Sequence, residues 1–138
     1  MTKTRLVREI VVWFVTLFLI LVCLRSGLMK MPGVPGVEFW TRDFQRWGYP
    51  GWFRFVVGLA ELISAALFLL PRLAGYGASV FGIIMLGAII THGTHNESAR
   101  LPFNFLLLAL SLIVVVTRQP AFLKRLRKKT GRPDQAAS

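Results

Sequence analysis

The sequence has few cysteines and few acidic residues. The first shortage excludes several kinds of site, and the second leaves the chain strongly basic. Its one cysteine, Cys23, excludes an internal disulfide and any metal or redox motif built from several cysteines. Acidic residues number 6 against 17 Lys and Arg, which gives a net charge of +11. The sequence also has no glycine-rich phosphate loop, no nucleophile elbow and no bis-histidine pair within its apolar segments. The chain alone therefore lacks obvious machinery for nucleophilic, thiol-redox or haem chemistry.

Charged residues are scarce overall, and apolar residues take their place. Of the 138 residues, 17% are charged and 54% are hydrophobic, which is too apolar for an ordinary soluble domain. The apolar residues form four blocks, each close to the length that spans a bilayer: Ile10–Leu24, Phe55–Leu70, Leu73–Thr91 and Leu101–Thr117. The predicted fold is an all-α membrane protein, an antiparallel up-down bundle of four transmembrane helices. We expect these helices at residues 10–29, 52–70, 73–92 and 101–117.

The two ends of the chain are basic, and both are predicted to be cytoplasmic. Residues 1–9 form the N-terminus, residues 10–117 the membrane domain, and residues 118–138 a basic tail whose end, 133–138, is expected to be disordered. The first helix resembles a signal peptide, but no small-x-small cleavage site follows it, and Val22 before Cys23 is too bulky for lipoprotein cleavage. We therefore expect the first helix to stay uncleaved.

The distribution of positive charge sets the predicted orientation. With both termini inside, the cytoplasmic side holds most of the basic residues: Lys3, Arg5, Arg8, Arg72, Arg118, Lys124, Arg125, Arg127, Lys128, Lys129 and Arg132. The outer side holds the remainder: Arg25, Lys30, Arg42, Arg46, Arg54 and Arg100. This asymmetry follows the positive-inside rule. The charge therefore indicates topology and attraction to anionic lipid rather than nucleic-acid binding.

The first outer loop contains a helical pattern. Val37, Trp40, Phe44 and Trp47 recur three or four residues apart and so share one face of a helix. Tryptophan favours the level of the membrane interface. The pattern predicts a short amphipathic helix that lies over the outer ends of the bundle.

One carboxylate, Glu61, falls inside the second apolar block. It lies ten residues before Pro71, or about 15 Å from the inner boundary, which is near the middle of the membrane. A carboxylate at that depth costs roughly 2.5 to 3.5 kcal/mol on insertion scales. Its presence therefore calls for a charge partner or a functional role. The other helices offer polar residues toward the outer half of the bundle: Arg25, Lys30, His92 and Asn104.

Two interpretations of these five residues stay open. In one, Glu61, Arg25 or Lys30, His92 and Asn104 line an outward-opening polar pocket for a small ligand. In the other, Glu61 forms a structural ion pair with Arg25 or Lys30 that fixes the helix register. His92 and His95 lie three residues apart with Glu97 near them, but no third ligand is established, so no metal site is predicted.

Several segments resemble the DoxX family of small membrane proteins. Ser26-Gly27-Leu28-Met29-Lys30-Met31 is similar to that family's SGxxKL segment at the end of its first helix. Gly48-Tyr49-Pro50, Gly58-Leu59-Ala60-Glu61-Leu62 and Leu70-Pro71 resemble its second helix. Met85-Leu86-Gly87-Ala88 through His92, and Phe103-Asn104-Phe105-Leu106-Leu107, resemble its third and fourth. The resemblance covers residues 10–117 and places Lys30, Glu61, His92 and Asn104, but not Arg25, on family motifs.

The resemblance implies a place in a membrane redox complex. The family is named after the small subunit of an archaeal thiosulfate:quinone oxidoreductase, and bacterial relatives are linked with oxidative-stress and sulfur-handling complexes. The expected protein is an auxiliary subunit in a bacterial or archaeal inner membrane, in contact with lipid and a redox partner, with quinone as the candidate cofactor. Distant relatives include membrane chaperones, so a non-enzymatic scaffold or chaperone is the alternative. Glycine and alanine stripes are also compatible with a homodimer.

Overall fold

The structure is a computed structural model, and it describes residues 2–119 and 121–131. The regular secondary structure of these residues is helical. The α-helices are α1 (Lys3–Leu28), α2 (Val37–Arg46), α3 (Phe53–Phe68), α4 (Ala74–Thr94), α5 (Leu101–Arg118) and α6 (Ala121–Thr130). A single turn of 3₁₀ helix, Ser98–Arg100, leads directly into α5.

Helix α1 begins earlier than the sequence predicts, at Lys3 rather than at residue 10. The basic segment before the apolar block contains no helix breaker, so the helical hydrogen bonds continue through it. The 26 residues of α1 extend about 39 Å, which is longer than a bilayer core of about 30 Å. The basic first turns therefore continue the spanning helix rather than form a separate terminus.

Helix α3 is shorter than predicted, with 16 residues that extend about 24 Å. The prediction ran to residue 70, but the helix ends at Phe68, and Leu69 and Leu70 enter the turn before Pro71. Proline disfavours the helical conformation of the residue before it, which accounts for the early end of α3.

Among the described residues, three segments are long and apolar enough to cross a membrane: Lys3–Leu28, Ala74–Thr94 and Ser98–Arg118.

Four helices pack into a ring. Helix α1 packs against α3, α3 against α4, α4 against α5, and α5 against α1. The core between them consists of buried apolar residues: Leu19, Ile20, Cys23, Ala65, Phe68, Ala74, Ala78, Phe81, Met85, Leu107 and Val114. Large apolar side chains also cover the outside of the ring, such as Phe14 at 71% exposed and Ile83 at 69%. A soluble monomer rarely exposes so continuous an apolar surface, and lipid contact explains it.

Glycines bring the helices unusually close at two contacts. A Cβ atom on Gly27 of α1 would lie 2.9 Å from the carbonyl oxygen of Gly58 on α3. A Cβ atom on Gly77 of α4 would lie 2.9 Å from the carbonyl oxygen of Ser64 on α3. Both distances are shorter than a real Cβ atom allows. The backbone of α3 therefore approaches its two neighbours through positions that only glycine can occupy.

Helix α2 covers one end of the ring, called here the α2 end. Gly36, with φ +88°, turns the chain into α2, and Gly48, with φ +79°, turns it out again. On the predicted apolar face, Phe44 is buried and stacks against Trp47 with ring centroids 5.3 Å apart. The opposite end, formed around the start of α6, is called the α6 end. The predicted disordered segment, 133–138, lies outside the described residues.

Candidate functional site

Lys30 and Glu61 form a buried ion pair inside the ring. The Lys30 ammonium nitrogen lies 2.8 Å from Glu61 Oε2, and each side chain is 3% exposed. The same ammonium donates to the Ser26 hydroxyl at 2.6 Å and to the Ser26 carbonyl at 3.2 Å. The Ser26 hydroxyl in turn donates to Glu61 Oε1 at 3.1 Å. All three ammonium hydrogens and both carboxylate oxygens therefore have protein partners.

The sequence places these three residues together through helical spacing and one glycine. Ser26 and Lys30 are four residues apart at the end of α1, so their side chains stack on one face. Gly58 lies three residues before Glu61 on α3, and a Cβ atom there would lie 2.8 Å from Lys30 Cβ. A larger residue at Gly58 would push the lysine stem away. The glycine therefore lets Lys30 pass across α3 to reach Glu61.

Trp40 of α2 closes the pair from the α2 end. The Lys30 ammonium lies 4.0 Å from the centroid of the Trp40 ring, which is within the range of a cation–π contact. The indole nitrogen of Trp40 is itself buried without a hydrogen-bond partner in the described part of the chain. The indole therefore contributes its face rather than its N–H group. It covers the ammonium with apolar surface.

Burial makes this pair costly to break. Removing one partner of a buried ion pair leaves an uncompensated charge and costs roughly 3–5 kcal/mol, whereas replacing both partners by apolar groups is often neutral. Breaking the pair is therefore expected to cost far more than the pair contributes in net stability. This geometry matches the structural ion pair among the two sequence interpretations.

Arg25, the other candidate partner of Glu61, points elsewhere. It is exposed in the last turn of α1, and none of the described residues forms a hydrogen bond or ion pair with it. Five residues separate it from Lys30, which is roughly 140° around a helix. Arg25 and Lys30 both lie near the C-terminal end of α1, but their rotation about the helix axis points their side chains in different directions.

His92 belongs to a different cluster, at the α2 end. Its Nδ1 atom lies 2.6 Å from Glu97 Oε2, and because a carboxylate only accepts, Nδ1 carries the proton in this contact. The imidazole also meets the Trp47 ring edge to face, with centroids 5.1 Å apart. Arg46 bonds both Glu97 and Asp43. We call His92, Glu97, Asp43, Arg46 and Arg100 the α2-end network.

Arg100 completes the α2-end network. It donates to Asp43 Oδ2 at 2.7 Å and lies 3.7 Å from Glu97 Oε2. The network thus joins α2, the end of α4 and the 3₁₀ turn before α5.

Opposing influences act on the pKa of Glu97. Partial burial alone would raise it. The hydrogen bonds from His92 and Trp47, and the charges of Arg100 and Arg46, outweigh burial and hold the pKa of Glu97 below its ordinary value. The carboxylate is therefore ionised at neutral pH and accepts hydrogen bonds from its partners.

Asn104 joins neither cluster. It is 8% exposed on the first turns of α5, and its amide nitrogen has no hydrogen-bond partner among the described residues. A buried amide without a partner costs about 1–3 kcal/mol. Among the described residues, the Trp40 indole nitrogen and Arg54 Nε are likewise buried without a partner. The five predicted site residues thus divide into the Lys30–Glu61 pair, His92 in the α2-end network, the isolated Asn104 and the exposed Arg25.

The possible metal ligands near His92 do not converge. His95 is exposed, and its Nδ1 atom lies 2.8 Å from the Thr91 carbonyl oxygen, to which it donates. In the described part of the chain, no group of three or more His, Cys, Asp or Glu side chains could hold a metal ion. His92 and Glu97 instead bind each other.

Sequence reasoning missed several partners of the predicted residues. Ser26 could have been found, because it lies one helical turn before Lys30. The pairing of Asp43 with Arg100 could not, because 57 residues separate them and only the fold brings them together. The contact of Trp40 with Lys30 likewise depends on how α2 folds over the ring.

The comparisons with known proteins agree with the residues that carried the resemblance. No curated protein and no solved structure shows a significant match to the chain. The model of the DoxX-like family matches residues 14–114, which include most of α1 and all of α2, α3 and α4. Together with three apolar helices of spanning length, this match identifies the chain as a membrane protein that belongs to the DoxX-like family.

Proposed function

We propose that this protein is a non-catalytic auxiliary subunit of a membrane complex, in which the Lys30–Glu61 pair locks α1 against α3. The observation that carries the proposal is the complete engagement of the pair. Every ammonium hydrogen and both carboxylate oxygens bind protein atoms, and Trp40 covers the ammonium. A general acid, a general base or a ligand-binding pair keeps at least one polar atom free for its substrate. This pair keeps none.

The membrane arrangement in this proposal is a four-helix up-down bundle with both termini in the cytoplasm of a bacterial or archaeal cell. Helix α3 is short, but the exposed side chains of Trp52, Leu69 and Leu70 extend its apolar surface at both ends. Basic residues concentrate at the α6 end, which favours that end as the cytoplasmic one. The α2-end network then faces outward.

The proposed partner is a membrane oxidoreductase. Membership of the DoxX-like family supports this choice, because the family takes its name from a subunit of such a complex. The packing of the bundle favours an auxiliary subunit over an enzyme. Apolar side chains fill its core around one ion pair whose polar atoms all have protein partners. Its role in such a complex is to hold a neighbouring membrane subunit in place.

Capture from native membranes tests the proposal. The full chain, expressed at its natural level with an affinity tag, is cross-linked, solubilised in mild detergent and purified, and the co-purifying proteins are identified by mass spectrometry. We expect an oxidoreductase subunit to co-purify, and deletion of this protein to lower the activity of that oxidoreductase in membranes. The Lys30→Met/Glu61→Gln double variant should retain the partner, because it keeps the packing. Recovery of the chain without an oxidoreductase subunit would overturn the proposal.

A second candidate, quinone binding, is favoured by Asn104. Its buried amide nitrogen is a hydrogen-bond donor without a partner, and a quinone carbonyl is an acceptor that it could satisfy. A bound quinone would accept and release electrons for a redox partner. Lys30 and Glu61 fit such a ligand poorly, since they have no free polar atom. Asn104 would therefore be the residue that orients the carbonyl.

Titration of the purified chain with menaquinone and ubiquinone analogues separates the two candidates. Under the auxiliary-subunit proposal, no saturable binding is expected. Under the quinone candidate, binding is saturable and Asn104→Leu weakens it about tenfold, the effect of losing one hydrogen bond in a dry site. The Lys30→Met/Glu61→Gln double variant serves as the comparison, because it keeps the packing; a loss of binding in it with Asn104 intact would point to a pocket at the ion pair instead.

A further inference from the structure

A pocket at the α6 end gathers basic residues from four separate parts of the chain. It has a volume of about 840 Å³ and is open to the surface. Arg8 comes from α1, Arg72 from the turn between α3 and α4, Arg118 from the last turn of α5, and Lys124 from α6. No stretch of sequence contains this cluster, so the fold creates it.

The single described acid at this end neutralises only part of the charge. Glu9 accepts from Arg118 at 2.9 Å and lies 3.9 Å from Arg8. Within residues 2–119 and 121–131, neither Arg72 nor Lys124 has an acidic partner. Two cations therefore face the pocket with their charge uncompensated, beside two that share one carboxylate.

The walls of the pocket are held in place by the backbone. The amide of Ala121 donates to the Tyr76 hydroxyl at 3.2 Å, which ties the start of α6 to the first turns of α4. This contact sets Lys124, one turn further along α6, above the pocket. Arg72 is held by the short turn that follows Pro71. The fold therefore places the backbone positions of Arg72 and Lys124 at the same pocket.

Apolar side chains border the same pocket. Val116, which lines it, is 66% exposed, and Leu69 and Leu70, directly before the lining residue Pro71, are 62% and 55% exposed. A soluble anion would contact only the cations. A phospholipid would use both, with its phosphate on the cations and its acyl chains along the rim.

We propose that the α6-end pocket is a binding site for the phosphate of an anionic phospholipid. Arg72 and Lys124 bind the phosphate oxygens, with Arg8 beside them, while Arg118 stays with Glu9 and closes the site. Arginine suits the forked hydrogen bonding of phosphate, and lysine adds a point charge. The inference uses the membrane placement proposed above but neither the oxidoreductase partner nor quinone.

Native mass spectrometry of the detergent-purified full chain tests the site. Phosphatidylglycerol and phosphatidylcholine with identical acyl chains are titrated separately, and the dissociation constant of the first lipid bound is measured. We expect phosphatidylglycerol to bind more tightly. The Arg72→Gln/Lys124→Gln variant should weaken its binding about tenfold. The matched variant Arg125→Gln/Lys129→Gln removes the same charge from α6 outside the pocket and should change binding by less than about twofold.

The exchange Arg72→Lys/Lys124→Arg changes the same two side chains but keeps both charges. It should keep most of the affinity, so a loss in the Arg72→Gln/Lys124→Gln variant can be assigned to charge and not to a disturbed fold. Equal losses in the two glutamine variants would overturn the proposal in favour of diffuse surface charge. Equal binding of the two lipids would overturn it as well. If glycerol phosphate without acyl chains bound as tightly as phosphatidylglycerol, the ligand would be a soluble phosphoester and the lipid assignment would be wrong.

Discussion

The ammonium of Lys30 and the carboxylate of Glu61 lie 2.8 Å apart between two helices that glycines hold in close contact. Lys30 follows the end of α1, and Glu61 lies in the middle of α3. The hydroxyl of Ser26 accepts from the first and donates to the second. Charge pairing, hydrogen bonding and backbone packing between α1 and α3 therefore depend on one another.

The ion pair predicts strong coupling between its two residues. Lys30→Met and Glu61→Gln should each lower the free energy of unfolding by about 3–5 kcal/mol, because each leaves the other group buried without its partner. The double variant should lose much less than the sum. Unfolding in detergent by increasing SDS, followed by circular dichroism, measures all four proteins.

Arg25→Gln is the control for that cycle. Its side chain is exposed and outside the pair, so we expect a change within about 0.5 kcal/mol. Additive losses in Lys30→Met and Glu61→Gln would mean that the two residues act independently and would contradict the structural lock.

The close helix contacts predict opposite effects of alanine at different glycines. Gly27→Ala and Gly77→Ala should each destabilise the fold by about 1–3 kcal/mol, because the new methyl group would meet a backbone carbonyl at 2.9 Å. Gly87→Ala on α4 has no atom within 4 Å and should be neutral or stabilising by up to about 1 kcal/mol. Thermal unfolding of the three variants in detergent compares them. Equal losses at all three positions would rule out the contacts as the cause.

The α2-end network predicts a loss of stability in acid. Glu97 has a lowered pKa in the folded state, so its contribution is present above the unfolded value of about 4.3 and is lost as pH falls through the folded value. The difference in unfolding free energy between wild type and Glu97→Gln should therefore favour wild type at pH 7 and shrink below pH 4.3. Chemical unfolding of both proteins across this range measures it. A difference that stayed constant with pH would show that the charge of Glu97 plays no part.

The unpartnered amide predicts that Asn104 can be replaced. Asn104→Leu should leave the free energy of unfolding unchanged or raise it by about 1 kcal/mol, because it removes a buried amide nitrogen without a partner. Asn104→Asp has nearly the same shape but introduces a buried charge, and it should destabilise the fold by several kcal/mol. Unfolding by SDS compares the two. A marked loss of stability in Asn104→Leu would reveal a partner that the amide already has.

The helices could be predicted from the sequence because long apolar blocks between prolines and polar loops leave few alternatives. The family could be predicted too, since its motifs occur in order along the chain. The family model matches residues 14–114, which lie within the range of the predicted resemblance. The ends of α1 and α3 could not. Both depend on a local balance, the unbroken helix propensity from Lys3 onward and the influence of Pro71 on Leu70, which hydropathy does not report.

The site was harder to predict, for a geometric reason. Counting residues gives height along a helix, and by height Arg25, Lys30, His92 and Asn104 all qualify as neighbours of Glu61. Rotation about each axis decides which of them meet, and it depends on how the helices pack at Gly27 and Gly58. Loop residues such as Glu97 carry no periodicity, so closeness in sequence to His92 does not by itself predict that the two side chains bind each other.

The order of the pair along the chain bears on how the protein enters the membrane. Lys30 precedes Glu61 by 31 residues, so the ribosome delivers the ammonium first. A short helix with a central carboxylate inserts poorly on its own. When α3 enters the bilayer, however, α1 has already entered it, and Lys30 just after α1 supplies the counter-charge for Glu61. We expect α1 to help α3 insert, so a glycosylation reporter placed after α3 should stay on the outer side and be glycosylated when Lys30→Met removes the counter-charge.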